Sequence, residues 1–329
     1  MKHTLENKIV QAWNFLKHQQ KDDGHFEGLT CAKEISTDMH TEVISKTPFT
    51  TSLILNALRP LRDFSLTKQA DNREAIDDIL SCAEKAVAYL LRQKDTHHFA
   101  WNYWEADEPR RKTLPYDLDD TSLACAAIQY WQPEYIHGEN LAQLAHVLIS
   151  TERETGGPYN TWITDFKKDV RFDDCDIAVN ANIAYMANLL GIHLPNLDRY
   201  FETSLISGVH SKYYQSPAVI LYFISRGYKG KNAHIFIEQI APLRKSTHKY
   251  SPQEDALLLS ALHYFGVDIS NEEKNIKNII DASNLETTQI HWKKEIFYFE
   301  RGDKEHMWYH MSDALTTSIC LEALTLFYL

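Results

Sequence analysis

The chain contains no run of about 18 apolar residues, so its sequence offers nothing that spans a membrane as a helix. Basic charge is in short supply: 34 lysines and arginines stand against 45 acids, a net charge of −11 with no basic stripe, which argues against a nucleic-acid partner. Cysteine is scarce too. Cys31, Cys82, Cys125, Cys175 and Cys320 are scattered and odd in number, which points to reduced thiols in a cytoplasm and not to a disulfide frame. The opening Met1-Lys2-His3-Thr4-Leu5-Glu6 lacks the apolar run of a signal peptide, in keeping with a cytoplasmic protein. Strand signals are few. The sequence suggests one hairpin, through Ile290-His291-Trp292 and Ile296-Phe297-Tyr298-Phe299, with Arg301-Gly302-Asp303 as a further turn.

What is present is helix. Over 329 residues, 44% of them hydrophobic, apolar positions recur at helical spacing nearly everywhere. Segments near 5–19, 71–93, 133–150, 195–207, 233–245 and 271–283 carry a charged face. Those near 49–60, 120–131, 176–190, 216–226, 253–265 and 312–328 are apolar almost all round, which marks buried helices. The two kinds alternate for about six rounds, the pattern of helical hairpins repeated in space. The expected fold is therefore all-α, an (α/α)6 toroid of six inner and six outer helices forming one domain over residues 1–329. Cap residues precede each inner segment: Thr47-Pro48, the acids at 117–120, Asp173-Asp174-Cys175-Asp176, Ser216-Pro217, Ser251-Pro252 and Ser312-Asp313. Parallel inner helices would gather these starts at one end.

One start differs from its siblings. Tyr116-Asp117-Leu118-Asp119-Asp120-Thr121 puts three carboxylates within four residues at the mouth of a buried helix. Asp119 or Asp120 could be a plain N-cap, favoured there by the helix dipole. Acids this close also raise one another's pKa, and a protonated aspartic acid in an apolar surround is a strong Brønsted acid. The loop before it is long and aromatic, with Trp101, Tyr103 and Trp104; the other loops at that end add Phe26, Tyr159, Trp162, Tyr213, Tyr214, Trp292, Trp308 and Tyr309. Aromatic faces around an acid suit carbocation chemistry, since they stabilise the cation that alkene protonation creates. Asn180 and Asn182 are polar positions in a buried helix, suited to binding substrate, anchoring a carboxylate or pairing with each other.

Asp117-Leu118-Asp119-Asp120-Thr121 resembles the D-x-D-D-T motif of class II terpene cyclases, the family of squalene–hopene cyclase and the bacterial diterpene cyclases. Gln20-Lys21-Asp22-Asp23-Gly24-His25-Phe26 is similar to that family's Q-x-x-x-G-x-W repeat with Phe for Trp, and Gln93 to Phe99 is a fainter copy with His97 where Gly belongs. The resemblance implies a protonation-initiated isoprenoid cyclase, an isomerase, with Asp119 as general acid and Asp117 and Asp120 polarising and positioning it. It implies a linear isoprenoid substrate, with Mg²⁺ as cofactor should that substrate be a diphosphate; Trp101, Tyr103, Trp104, Tyr159, Trp162, Trp308, Tyr309, Asn180 and Asn182 are the candidates to bind it, ordinary packing of long loops being the other reading of each aromatic. Family members usually have two barrels with the cavity between them. This chain has room for one, which leaves open a minimal cyclase, a barrel completed by a second copy or a partner, and a barrel that only binds isoprenoids.

Other constellations suggest other chemistry. Asp173-Asp174-Cys175 with His310 resembles the zinc ligands of protein prenyltransferase β-subunits, although it lies early in the chain for that order. Glu105, Asp107 and Glu108 could hold Mg²⁺ against a diphosphate that Arg110-Arg111-Lys112 would clamp, or form a solvated charge run. Asp119 with Asp174 or Asp176 would serve formally as the two carboxylates of an α/α-barrel glycosidase.

Overall fold

Helices without a charged face have to be covered on every side, and those with one charged face do the covering. In the computed structural model, which describes residues 2–34, 40–67, 73–165, 168–208, 210–245, 251–286, 288–301 and 306–329, the chain runs α1 (Lys2–Gln19), β1 (Glu27–Glu34), β2 (His40–Lys46), α2 (Pro48–Ala57), α3 (Arg59–Thr67), α4 (Arg73–Gln93), α5 (Leu118–Trp131), α6 (Gly138–Thr151) and α7 (Ile177–Leu189). It continues with α8 (Pro195–Ser207), α9 (Pro217–Gly227), α10 (Ala233–Lys245), α11 (Pro252–Tyr264), α12 (Glu273–Asp281), β3 (Asn284–Glu286), β4 (Gln289–His291), β5 (Ile296–Arg301), β6 (His306–Met311) and α13 (Asp313–Tyr328). The buried helices α2, α5, α7, α9, α11 and α13 touch in that order, and α13 returns to α2, so their contacts close on themselves. Amphipathic helices pack outside them: α1 on α13, α4 on α2 and α5, α8 on α7, α10 on α9 and α11, and α12 on α11 and α13.

The buried helices start where their caps dictate, with two adjustments. Thr47, Asp176, Ser251 and Ser312 accept first-turn N–H groups as expected. Ser216 does not; its hydroxyl donates to Glu254 instead. The cap of α5 is Asp117, which leaves Asp119 and Asp120 inside the first turn and not at the cap.

A recurring clamp ties the aromatic loops to the buried helices. The N–H of Phe26 donates to Thr51 Oγ1 at 3.1 Å, that of Trp101 to Thr121 Oγ1 at 3.0 Å and that of Trp292 to Thr317 Oγ1 at 3.1 Å. Tyr159 repeats the contact with Asn180 Oδ1 at 2.8 Å. Both indoles then reach outward, Trp101 to Leu90 O at 2.8 Å and Trp292 to Ile279 O at 2.7 Å. Each clamp satisfies an interior N–H that would otherwise cost about 1–3 kcal/mol. Beside Phe26, Gln20 donates to Gly24 O and Cys82 O, and Gly24 has φ +96° with no room for a side chain, since a Cβ would lie 2.0 Å from Lys85 O.

The single expected hairpin is corrected. β4 pairs with β3, and β5 pairs with β6 in an antiparallel four-stranded sheet of order β2-β1-β6-β5. Each half of the expected hairpin thus pairs with the strand on its other side in sequence, β4 with the strand before it and β5 with the strand after it. The further turn at Gly302-Asp303 lies outside the described residues, as do Asp71 and Asn72 at the start of an expected outer helix. In the sheet, Thr30, His310 and Tyr298 lie side by side across β1, β6 and β5. Gly28 makes room for the His310 ring, which a Cβ there would meet at 2.3 Å.

Candidate active site

The triad is held by backbone before any side chain acts. Asp117 sits in extended conformation, bridged on one side to Trp101 and on the other to Trp162. Leu118 N–H donates to Thr161 O at 2.8 Å. Asp117 Oδ1 then accepts the Asp120 N–H at 2.8 Å, closing the first turn of α5. This fixes all three acids at the helix start, where they are 5%, 8% and 3% exposed in order.

Their hydrogen bonds separate them. Asp119 Oδ1 accepts from Asn182 Nδ2 at 2.7 Å, and its Oδ2 accepts from the Tyr214 hydroxyl. Burial pushes the Asp119 carboxyl up to about 6, against the two donors, which favour its ionised form. Asp117 and Asp120 are hydrogen-bonded to each other, and both are raised, burial being the largest cause. For Asp120 the neighbouring Asp117 adds to burial in opposing ionisation, and its Oδ1 has no hydrogen-bond partner. Both members of the pair thus favour their protonated forms, while Asp119 beside them, at about 6, is mostly ionised at neutral pH with a minor protonated population.

The acids line a cavity of about 300 Å³, at the small end of the roughly 300–1,000 Å³ typical of ligand sites. The starts of α2, α5 and α7 supply Phe49, Asp117, Asp119, Asp120 and Val179, and the sheet supplies Thr30, Tyr298, Trp308, Tyr309 and His310. Tyr298 stacks between Tyr213, at 6.1 Å and 5°, and Tyr103, at 6.0 Å and 25°. Of the expected substrate-binding residues, Tyr103, Trp104, Trp162, Trp308 and Tyr309 line the cavity. Trp101, Tyr159 and Asn180 belong instead to the clamps, and Asn182 stands behind Asp119. Phe49 and Tyr298 were not singled out from the sequence: each sits in an apolar stretch where nothing local distinguishes a cavity face from core. His310, also on the wall, binds Thr50 Oγ1 through Nε2 at 2.9 Å and Tyr103 OH through Nδ1 at 3.1 Å, and burial pushes it down to about 4, so it is neutral.

The other constellations are engaged elsewhere. Asp176 caps α7 and accepts from Ser211 and from Lys212 N–H. Asp174 accepts from Tyr213 OH and pairs with Lys212, while Asp173 pairs with Arg153. Cys175 lies near the Tyr200 hydroxyl. Glu105 pairs with Lys46 and Glu108 with Arg110, whose guanidinium lies 3.8 Å over the Trp104 ring at the cavity wall. Arg111 donates to Gln93 O and Tyr116 OH. Asp107 and Lys112 are exposed. Among the described residues no three His, Cys, Asp or Glu side chains are grouped to hold a metal ion, so neither the zinc nor the Mg²⁺ constellation is assembled there. Nor is any described helix long and apolar enough to cross a membrane.

No family profile matches the chain, and no curated protein matches it in sequence. Its fold is similar to that of solved structures. One is the type II terpene cyclase MstE from Scytonema in its apo form, with a TM-score of 0.68 at 14% identity, over 99% of this chain and 98% of that one. Another is a protein from Actinoplanes, with a TM-score of 0.67 at 14% identity, over 98% and 99%. The likeness is one of fold, and it runs end to end in both pairs.

Proposed function

We propose that the chain is a class II terpene cyclase built on a single (α/α)6 barrel, with Asp119 of the D-x-D-D-T stretch as general acid. The observation that carries this is a buried aspartate triad opening into an aromatic-walled cavity. Asp119 gives its proton to a terminal alkene of a linear isoprenoid; the π pair forms the new C–H bond and leaves a tertiary cation on the neighbouring carbon. An acid near 6 is well matched to that task at neutral pH, because it is still populated in its protonated form. Tyr214 and Asn182 then hold the carboxylate left behind, which makes the transfer less uphill. Internal alkenes attack the cation in turn, and the faces of Tyr103, Tyr213 and Tyr298 stabilise the positive charge as it moves, until the last cation loses a C–H proton to water, forms an alkene and leaves a neutral isomer, Asp119 being reprotonated from solvent. Asp117 and Asp120, both raised by burial, stay protonated in part and so add less than two units of negative charge to hold the Asp119 proton back.

The test is product analysis after incubating the purified chain with farnesyl, geranylgeranyl and non-phosphorylated polyprenyl substrates, with and without Mg²⁺, beside Asp119→Asn. A cyclised product that falls at least about 10³-fold in the variant is expected, within the range that general acids contribute. Equal turnover by both proteins would overturn the role of Asp119. A prenyl compound retained but never converted would make this a binding barrel.

A further inference from the structure

Behind Asp119 lies a buried cation that the chemistry so far leaves unused. Arg226, on α9, is 7% exposed, its guanidinium 4.4 Å from the Tyr185 ring, 4.4 Å from the Tyr222 ring and 5.0 Å from the Phe223 ring. Its Nη2 donates to Asn182 Oδ1 at 3.0 Å, and Asn182 Nδ2 donates to Asp119 Oδ1 at 2.7 Å. A guanidinium only donates and does not lose its proton in proteins. The Asn182 amide therefore has one permitted orientation: carbonyl toward Arg226, N–H₂ toward Asp119. Asp119 Oδ1 must then always be an acceptor on that side. Tyr214 takes the corresponding place on Oδ2 with its own hydroxyl. The positions left for the acid's proton are those turned away from both donors, and Asp119 faces the cavity.

We infer that Arg226 is a positioning residue, acting through Asn182 to fix the amide and so the lone pair of Asp119 from which the proton leaves. The inference rests on the cyclase assignment for its purpose but not for its geometry. Arg226 is itself held in place. The Tyr222 hydroxyl lies 3.4 Å from Nη1 and donates to Glu322 Oε2 at 2.7 Å, and Tyr264 donates to Glu322 Oε1. Glu322 is buried and pushed up to about 7 by that burial, which weakens the counter-charge, and the Arg226 charge favours the ionised form of Asp119. The groups facing Asp119 are Asp117 at the cap of α5 and Asp120 within it, Asp176 at the cap of α7 and Asn182 within it, Tyr214 ahead of α9 and Arg226 on α9; among them Arg226 alone is cationic.

The experiment follows the Asp119 carboxyl directly, by ¹³C NMR of aspartate-labelled protein with the signal assigned from Asp119→Asn. In Arg226→Met the Asp119 titration should move upward by about one pH unit, since a favourable charge is lost and, chiefly, the Asn182 N–H₂ is no longer held on Oδ1. In an Asn182→Leu background the same substitution should move it by less than half as much, because the link is gone. Arg226→Lys, which keeps a charged donor, should restore most of the parent titration. Should Arg226→Met not fold, Arg226→Met with Glu322→Gln removes charge and counter-charge together and serves in its place. An unmoved titration, or an equal shift with and without Asn182, would overturn the inference. A shift seen as expected in a protein whose parent cyclises nothing would leave Arg226 in this role and sink the cyclase assignment instead. With turnover, kcat should fall at unchanged KM, as Arg226 does not line the cavity, while the alkaline limb of the pH profile moves up.

Discussion

Asp119→Asn tests the burial of the acid apart from any chemistry, because unfolding can be followed without a substrate. Burial moves the Asp119 carboxyl from the ordinary 3.8 to about 6. At about 1.4 kcal/mol per pH unit, ionising it in the native state therefore costs about 3 kcal/mol. The sign follows from the direction. With the folded pKa above the unfolded one, the contribution of Asp119 to stability is complete below about pH 4 and is lost as pH rises through about 6. Asparagine cannot titrate, so the variant shows no such loss. It has a cost of its own, since its amide presents N–H₂ to one of two groups that already donate, Asn182 or Tyr214, an unfavourable contact of about 1–3 kcal/mol. Urea unfolding of both proteins from about pH 4 to about pH 8 reads the difference, with the titrating groups outside the triad common to the two. The variant should be the weaker at the acid end and equal or stronger at the alkaline end, the gap changing by about 3 kcal/mol overall. A gap constant to within about 0.5 kcal/mol would refute the argument that burial sets this carboxyl's acidity.

Thr121→Val leaves the Trp101 N–H without its acceptor and should cost about 1–3 kcal/mol by thermal or urea unfolding, and Thr317→Val should do the same beneath Trp292. For Thr317, far along the chain from the triad, any product profile should stay as in the parent; an unchanged stability in both variants would mean that the clamps are incidental. Tyr298→Leu removes the ring that stacks between Tyr213 and Tyr103, and at about 0.5–2 kcal/mol per cation–π contact should slow cyclisation about tenfold. Gas chromatography of the products should also show more partly cyclised material, and an unaltered rate and product ratio would remove the aromatic stack from the mechanism.

The chain itself determined which helices are buried, because a segment such as Ser122-Leu123-Ala124-Cys125-Ala126-Ala127-Ile128 has no face that water would accept. It also determined where most of them begin, through hydroxyls and carboxylates that cap their own first turns, and it placed three acids at one such start. These properties act over a few residues and can be read in order along the sequence. Tertiary structure decided the rest. Trp101 and Tyr103 stand two residues apart in one loop, yet one clamps Thr121 and the other faces the cavity, a choice made by what lies on either side of the loop and not within it. Thr30, Tyr298 and His310 became neighbours only when β1, β5 and β6 paired. The donors that oppose the effect of burial on Asp119 come from 63 and 95 residues away. Interactions at that separation depend on which elements end up adjacent, and adjacency is a property of the closed helix contacts as a whole, which no single stretch of sequence encodes.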